Sequence, residues 1–197
     1  MRAAKPRPGR RRRASRQASP RRLPGDLEAG AALHRALRVD QAGEFGAVQI
    51  YKGQLAVLAG TASEAPIREM ADAERAHLEA LDQLVVTRGV RPTALVPLWR
   101  AAGFLLGAGS ALLSERHAMA TTAAVEEVID EHYRRQVERL GPDEPALAEL
   151  LARFGDEERA HREAALAHDA AAAFGYRPFS RAVRAGTRLA IWLSERL

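Results

Sequence analysis

With 197 residues, 47% hydrophobic and no cysteine, the chain can bury one sizeable core and excludes disulfides, thiolate metal ligands and iron–sulfur clusters. Its net charge of +5 is unevenly placed: residues 1–25 carry nine Arg, one Lys and no acid, whereas the remainder carries 20 basic and 25 acidic residues, or −5. The basic character belongs to a tail, so no nucleic-acid partner is expected for the domain.

That tail, residues 1–25, is rich in Arg, Pro and Ser and has almost no apolar surface, which predicts disorder. It has no hydrophobic run of a secretory signal, and its four prolines and missing apolar stripe argue against a mitochondrial transit peptide. Attraction to anionic lipid or nucleic acid remains open beside a purely solvated tail. The domain is expected over 26–197, with Asp26 as the first helix cap.

Apolar residues then recur at steps of three and four through Leu33, Leu37, Val48, Tyr51, Leu55 and Leu58, one face of a helix of about 30 residues. Asp40 and Glu44 stand on that face, where a charge is costly unless it is paired or bound to metal. Ser63 and Pro66 mark a second helix, whose stripe of Ile67, Met70, Leu81 and Leu84 carries Glu74 and His77. Gly89 ends it.

From Leu98 to Leu140 only glycines interrupt helical sequence. Residues 98–113 contain a single charge. That is too short for a confident membrane span and fits a buried helix or one dipping into a membrane interface. Gly103, Gly107 and Gly109 follow no strand, so they read as close helix packing and not as a nucleotide loop. Further on, Glu126 sits among Met119, Ile129, Tyr133 and Val137. After Gly141-Pro142, with Asp143 as the expected cap, a helix follows through Leu147, Leu151 and Phe154 with Glu158 and His161 on its stripe. A final helix over 179–197 places Arg181, Arg184 and Arg188 on one face. It reads equally as a helix lying on a membrane and as a packing helix with a solvated Arg face.

One stretch occurs twice. Asp72-Ala-Glu-Arg-Ala-His-Leu-Glu-Ala80 returns as Asp156-Glu-Glu-Arg-Ala-His-Arg-Glu-Ala164, identical at seven of nine positions. Each copy holds Glu-x-x-His, which on a helix sets both side chains on one face. With Glu44 and Glu126 the order becomes Glu, Glu-x-x-His, Glu, Glu-x-x-His, spaced by 30 residues in the first half and 32 in the second. Dimetal four-helix bundles use this set. Four buried carboxylates are untenable alone, but two divalent cations neutralise them. Carboxylates with one imidazole per ion suit iron or manganese, and zinc is not excluded. Asp72 and Asp156 recur with the motif, either orienting the histidines or as surface acids. Tyr133 and His132 follow Glu126 closely and are candidates for contact with the site, with simple packing as the competing account for Tyr133. His34 and His117 read as surface residues, and His168 as a hydrogen-bonded core residue.

At these residues the chain resembles the demethoxyubiquinone hydroxylases of ubiquinone biosynthesis, from about Leu33 to Leu197. Asp40-Gln-Ala-Gly-Glu-Phe-Gly-Ala47 is similar to the family's first ligand segment. Arg91-Pro-Thr, Pro97-Leu-Trp and Gly103-Phe-x-Leu-Gly-Ala-Gly109 resemble its apolar segment. Val125-Glu-Glu-x-Ile with His132-Tyr133 resembles its third ligand helix, and Leu193-Ser-Glu-Arg-Leu197 its ending. Gln41, where His is usual, and Phe45, where Tyr is common, depart from the pattern.

The resemblance implies an all-α, ferritin-like four-helix bundle with a dimetal carboxylate site and added membrane-associated helical segments. It implies an oxidoreductase, a di-iron monooxygenase that hydroxylates a polyprenylated methoxybenzoquinol using dioxygen and NADH-derived electrons. Two Fe ions would be held by Glu44, Glu74, His77, Glu126, Glu158 and His161, with Glu74 and Glu158 bridging. It further implies a polyprenyl quinol substrate, a membrane surface and a lipid-binding ubiquinone-biosynthesis protein as partners, with self-association left open. The expected location is the cytoplasmic face of a bacterial inner membrane, or the matrix face of the mitochondrial one. Two other readings remain at this point: a rubrerythrin-like di-iron peroxidase or iron oxidase, and a non-catalytic quinone-binding membrane protein.

Overall fold

A computed structural model describes residues 29–197; the tail over 1–25 and the Asp26 cap lie outside the described residues. Six α-helices follow in order: α1 Ala29–Leu58, α2 Glu64–Thr87, α3 Val96–Leu113, α4 Glu115–Leu140, α5 Pro145–Ala167 and α6 Tyr176–Ser194. Helices α1, α2, α4 and α5 form the bundle that carries the six residues expected as ligands, α3 lies along α1, and α6 lies along α4. The ferritin-like expectation holds, and the all-α class extends to every regular element among the described residues.

The helix ends follow local chemistry. Gly89, at φ 62°, lets the chain reverse after α2, and Val90 N–H donates back to Val85 O at 2.8 Å, satisfying a carbonyl the helix end would orphan. The long helix expected through residues 98–140 is instead two helices. Ser114 adopts extended backbone, and its hydroxyl accepts from His117 N–H at 3.2 Å, so a cap starts α4 where only glycines had seemed to interrupt. Ser63 precedes α2 but does not cap it through its side chain; its hydroxyl donates to Glu115 instead, at 2.6 Å. Glu144, not Asp143, stands at the start of α5, and α5 ends at Ala167, so His168 is an exposed residue beyond the helix and not a core one.

The glycines of α1 and α3 account for the closest helix contact. A Cβ at Gly103 would lie 2.8 Å from Gly46 O; one at Gly107 would collide with Ile50 O, and one at Gly53 with Phe104 O. Small residues thus let two backbones touch, as expected for Gly103 and Gly107; Gly109 has nothing within 4 Å of an added Cβ and packs against no neighbour. The outer face of α3 stays uncovered: Leu98, Leu105 and Leu112, seven residues apart, are exposed together with Phe104 and Leu113. Residues 98–113 alone read as too short for a span, but α3 starts two residues earlier, at Val96, and its 18 residues are long and apolar enough to cross a membrane by length and composition.

Helix α6 differs. Arg184 pairs with Glu127 at 3.2 Å and Arg188 with Glu131 at 3.5 Å, so two of the three arginines face acids of α4. Its far end is tied to the start of α3: Trp99 Nε1 donates to Ser194 Oγ at 3.0 Å, and Ala94 N–H donates to Leu197 O at 3.1 Å.

Candidate metal centre

All six residues expected as ligands meet in the bundle interior. Glu44, Glu74, Glu126 and Glu158 are each 0–2% exposed, His77 is 2%, and the His161 side chain is 12%. Two overlapping quartets form: Glu44, Glu74, His77 and Glu158, and Glu74, Glu126, Glu158 and His161, with ligand atoms of each quartet within 4.8 Å of one another. Glu74 and Glu158 belong to both. Both histidines point Nδ1 inward: His77 Nδ1 lies 3.2 Å from Glu158 and 3.6 Å from Glu44, and His161 Nδ1 lies 3.0 Å from Glu74 and 3.3 Å from Glu158.

The donor set fits divalent ions. Glu44 Oε2, Glu74 Oε1, Glu126 Oε2, both oxygens of Glu158 and Nδ1 of both histidines are buried without a hydrogen-bond partner. Seven orphaned buried atoms converging on one point would be costly in a bare protein core, and cations satisfy them all. The electrostatics agree. Burial, then the neighbouring Glu158 carboxylate, holds Glu74 well above the usual carboxyl range, and the same two causes raise Glu126. Burial by itself would lower His77, but the carboxylates of Glu158 and Glu44 override it and push it up to about 11. Glu158 is held down to about 2: its burial opposes ionisation, and the two facing histidines outweigh it. A metal-free site therefore keeps protons that cations would displace.

The surrounding polar residues repeat with the ligands. Tyr51 donates to Glu126 Oε1 at 2.7 Å, and Tyr133 donates to Glu44 Oε1. Each tyrosine lies seven residues after one inner glutamate and serves the other, because α1 and α4 run in opposite directions. Each glutamate thus has Oε1 held and Oε2 left without a partner. Burial, followed by Glu126 for Tyr51 and by Glu44 for Tyr133, keeps both phenols protonated by pushing their pKa well up. Gln54 and Gln136 extend the same ladder: Gln54 donates to Ala118 O at 3.0 Å, and Gln136 donates to Asp40 at 2.6 Å. Sequence reading put Tyr51 on the stripe without a role. The signal was available, since Tyr51 and Tyr133 stand at equal distances after Glu44 and Glu126.

Tyr133 therefore touches the site and is more than packing. His132 stands one step further out, with Nε2 3.1 Å from the buried carboxylate of Asp40. Asp72 and Asp156 do not orient the histidines. Both are exposed and pair with Arg75 and Arg159 one turn along their own helices. The carboxylate that reaches the outer nitrogen of one of these two histidines is Glu157, 2.6 Å from His77 Nε2. Gln41 donates to Asp82 at 2.9 Å, and Phe45 lies 5.9 Å beneath the Arg100 guanidinium; neither enters the site.

An apolar cavity of about 320 Å³ lies between α1, α3, α4 and α6, lined by none of the six acids and histidines themselves. Gly43 and Val125, each adjacent in sequence to an inner glutamate, line it with Ile50, Leu106, Trp99 and Ile191. Its size falls in the range of about 300–1,000 Å³ typical of small-molecule sites.

Comparison with known proteins bears on this arrangement. The sequence model of the family described as "Ubiquinone biosynthesis protein COQ7" matches residues 31–194. The chain belongs to the COQ7 family. Among its relatives, a Rhodospirillum rubrum protein named 3-demethoxyubiquinol 3-hydroxylase is 51% identical over 177 residues, covering 89% of this chain and 84% of the relative. A Homo sapiens protein named NADPH-dependent 3-demethoxyubiquinone 3-hydroxylase, mitochondrial, is 48% identical over 171 residues, covering 85% and 79%. A Saccharomyces cerevisiae protein named 5-demethoxyubiquinone hydroxylase, mitochondrial, is 39% identical over 182 residues, covering 84% and 78%. The COQ7 match extends through α3 and α6, so the helices that enclose the cavity belong to the family pattern as much as the ligand helices do.

Proposed function

We propose that this protein is a 3-demethoxyubiquinol 3-hydroxylase, an enzyme that adds a ring hydroxyl to a polyprenylated methoxybenzoquinol in ubiquinone biosynthesis. The observation that carries the reading is a buried four-carboxylate, two-imidazole cluster, with an apolar cavity lined by the sequence neighbours of Glu44 and Glu126, in a chain similar throughout its domain to proteins of that name. A rubrerythrin-like peroxidase or iron oxidase would use such ligands but has no need of the cavity. A non-catalytic quinone carrier would need the cavity but not the cluster.

Glu44 and His77 are assigned to one iron, Glu126 and His161 to the other, with Glu74 and Glu158 shared between them. Iron bound there supplies the dioxygen-activating redox chemistry that no side chain provides. The protein's part is to orient and to exclude water. Tyr51 and Tyr133 hold one oxygen of each inner glutamate and leave the other for metal. Apolar walls at Ile50, Leu106 and Ile129 suit a substituted ring. Electrons come from a reduced nicotinamide nucleotide. The human relative's name specifies NADPH, whereas family resemblance suggested NADH, and assays with each decide for this chain.

The polyprenyl tail confines the substrate to a bilayer, so the cavity must open toward one. The exposed stripe of Leu98, Leu105 and Leu112 with Trp192 of α6 supports a peripheral placement at a membrane surface, on the cytoplasmic face in a bacterium or the matrix face in a mitochondrion. Leu106 lines the cavity, so Leu105 and Leu112 are the residues to change. Leu105→Glu with Leu112→Glu should keep the metal, lower vesicle binding, and reduce turnover of long-chain substrate more than of a short-chain analogue. Equal loss on both substrates with metal retained would reject membrane entry at α3. The domain is assigned to 26–197 and residues 1–25 to a dispensable tail. A lipid-binding protein of the same pathway and a second copy of the chain are further candidate partners, tested by co-purification. The function itself is tested by restoring ubiquinone synthesis in a strain lacking its own hydroxylase. Failure of a folded, iron-containing protein to do so overturns the reading.

A further inference from the structure

The two metal subsites are built from repeated sequence, yet their histidines are held differently. His77 Nε2 meets Glu157 Oε2 at 2.6 Å, and its ring stacks on Phe154 with centroids 4.0 Å apart and planes 28° from parallel. Its side chain is 3% exposed. His161 is more open, at 12%, and its inward Nδ1 is near Glu74 and Glu158, while no described carboxylate lies within ion-pair distance of its Nε2. The repeat explains the difference. Glu157 immediately precedes Glu158, and 84 residues earlier the corresponding position before Glu74 is Ala73; the counterpart of Phe154 is Met70. One copy carries a carboxylate for the opposite helix's histidine, and the other carries a methyl group.

A carboxylate on the outer nitrogen of a ligating imidazole holds the proton there, leaves the inner nitrogen's lone pair free, fixes the ring plane and strengthens the ligand. We propose that Glu157 is a positioning residue that makes the Glu44–His77 subsite the tighter of the two, so that the pair of ions loads and releases in order, with the Glu126–His161 ion the more labile. Glu157 acts through His77 and touches no reacting atom. It is half exposed, so changing it leaves the core packing intact. The inference rests on the metal site proposed above.

The test uses the full-length iron-loaded protein under anaerobic conditions, exposed to rising concentrations of an iron(II) chelator, with iron counted per chain. The wild type is expected to lose its two irons in two separate steps. Glu157→Gln, which keeps a hydrogen-bond acceptor but not the charge, should shift the later step to roughly 10- to 100-fold lower chelator and merge it with the first. Glu157→Asp should fall between them. Ala73→Glu, which installs the missing carboxylate, should move the early step toward the later one. A purely structural role for Glu157 would not produce that opposite response in the other half of the molecule. A wild type that releases both irons in a single step overturns the inference, as do unaltered steps in both Glu157→Gln and Ala73→Glu. A wild type that never holds two irons overturns the metal-site reading along with it.

Discussion

The half of the molecule from α1 to α3 and the half from α4 to α6 share a plan and diverge in its surroundings. Glu44, Tyr51 and Gln54 in the first correspond to Glu126, Tyr133 and Gln136 in the second, each 82 residues on, and the Glu-x-x-His motifs lie 84 apart. What is repeated is what a pair of cations requires. What is not repeated sets the character of each side: Ala73 against Glu157 behind the opposite histidine, Asp40 against Thr122 under the glutamine, and an apolar, glycine-packed α3 against an α6 pinned by arginines. The symmetric part brings the acids and histidines together, and the asymmetric part gives the two histidines different neighbours and adds walls to the cavity.

The largest effect should come from removing what the halves share. Glu74→Ala with Glu158→Ala should reduce iron from about two ions per chain to essentially none, whereas Glu44→Ala should leave about one; elemental analysis of purified protein decides. Asp72→Ala, at an exposed position, should leave iron content unchanged. Full iron in the double variant would disprove the site assignment.

Next in size is the dependence of stability on metal and pH. Glu74 and Glu126 are raised above their ordinary 4.5, so without metal their contribution to stability is present below that value and is lost as rising pH approaches their folded-state pKa. His77 is raised to about 11, and its contribution persists across neutral pH. Glu158, lowered to about 2, loses its contribution only in acid. Metal binding displaces the retained protons, so the gain in Tm from metal should grow between about pH 5 and pH 8. A gain that is flat or shrinks over that interval would contradict the proton count.

The outer helices provide a smaller contrast. Gly107→Ala should cost about 3 kcal/mol, because its Cβ has nowhere to go against Ile50 O. Gly186→Ala on α6, with nothing within 4 Å of the added carbon, should instead stabilise by about 0.5–1 kcal/mol. Denaturant titration of the two variants measures whether the halves differ in packing as described. Tyr51→Phe and Tyr133→Phe should each cost about 1–3 kcal/mol by leaving a buried carboxylate oxygen unpaired. Their near-equality is the point: a loss confined to one of them would show that the ladder is symmetric in placement only.

How much of this was legible in the chain follows from the range of each interaction. Helix periodicity is local, so α1, α2, the stripe of α4 and the six inward ligand residues could be read from spacing, and the duplicated motif showed that they came in two sets. The close packing of α3 was legible at Gly103 and Gly107, because helix interiors rarely place glycine without need of close approach; Gly109, part of the same pattern, meets nothing. The break at Ser114 was locally encoded by a capping serine but concealed by good helix on both sides. The rest depended on which helix lies against which, and in what direction. Opposite running of α1 and α4 sends Tyr51 to Glu126 and Tyr133 to Glu44; parallel helices with the same residues would not. Asp72 and Glu157 are both acids near a Glu-x-x-His, and only the packing of α5 against α2 gives His77 to Glu157 while leaving Asp72 in water. Arg184 and Arg188 of α6 could equally have faced lipid until α4 placed Glu127 and Glu131 beneath them. Sequence determined which side chains point inward, because that is a property of one helix; tertiary structure decided their partners, because a partner is a property of two.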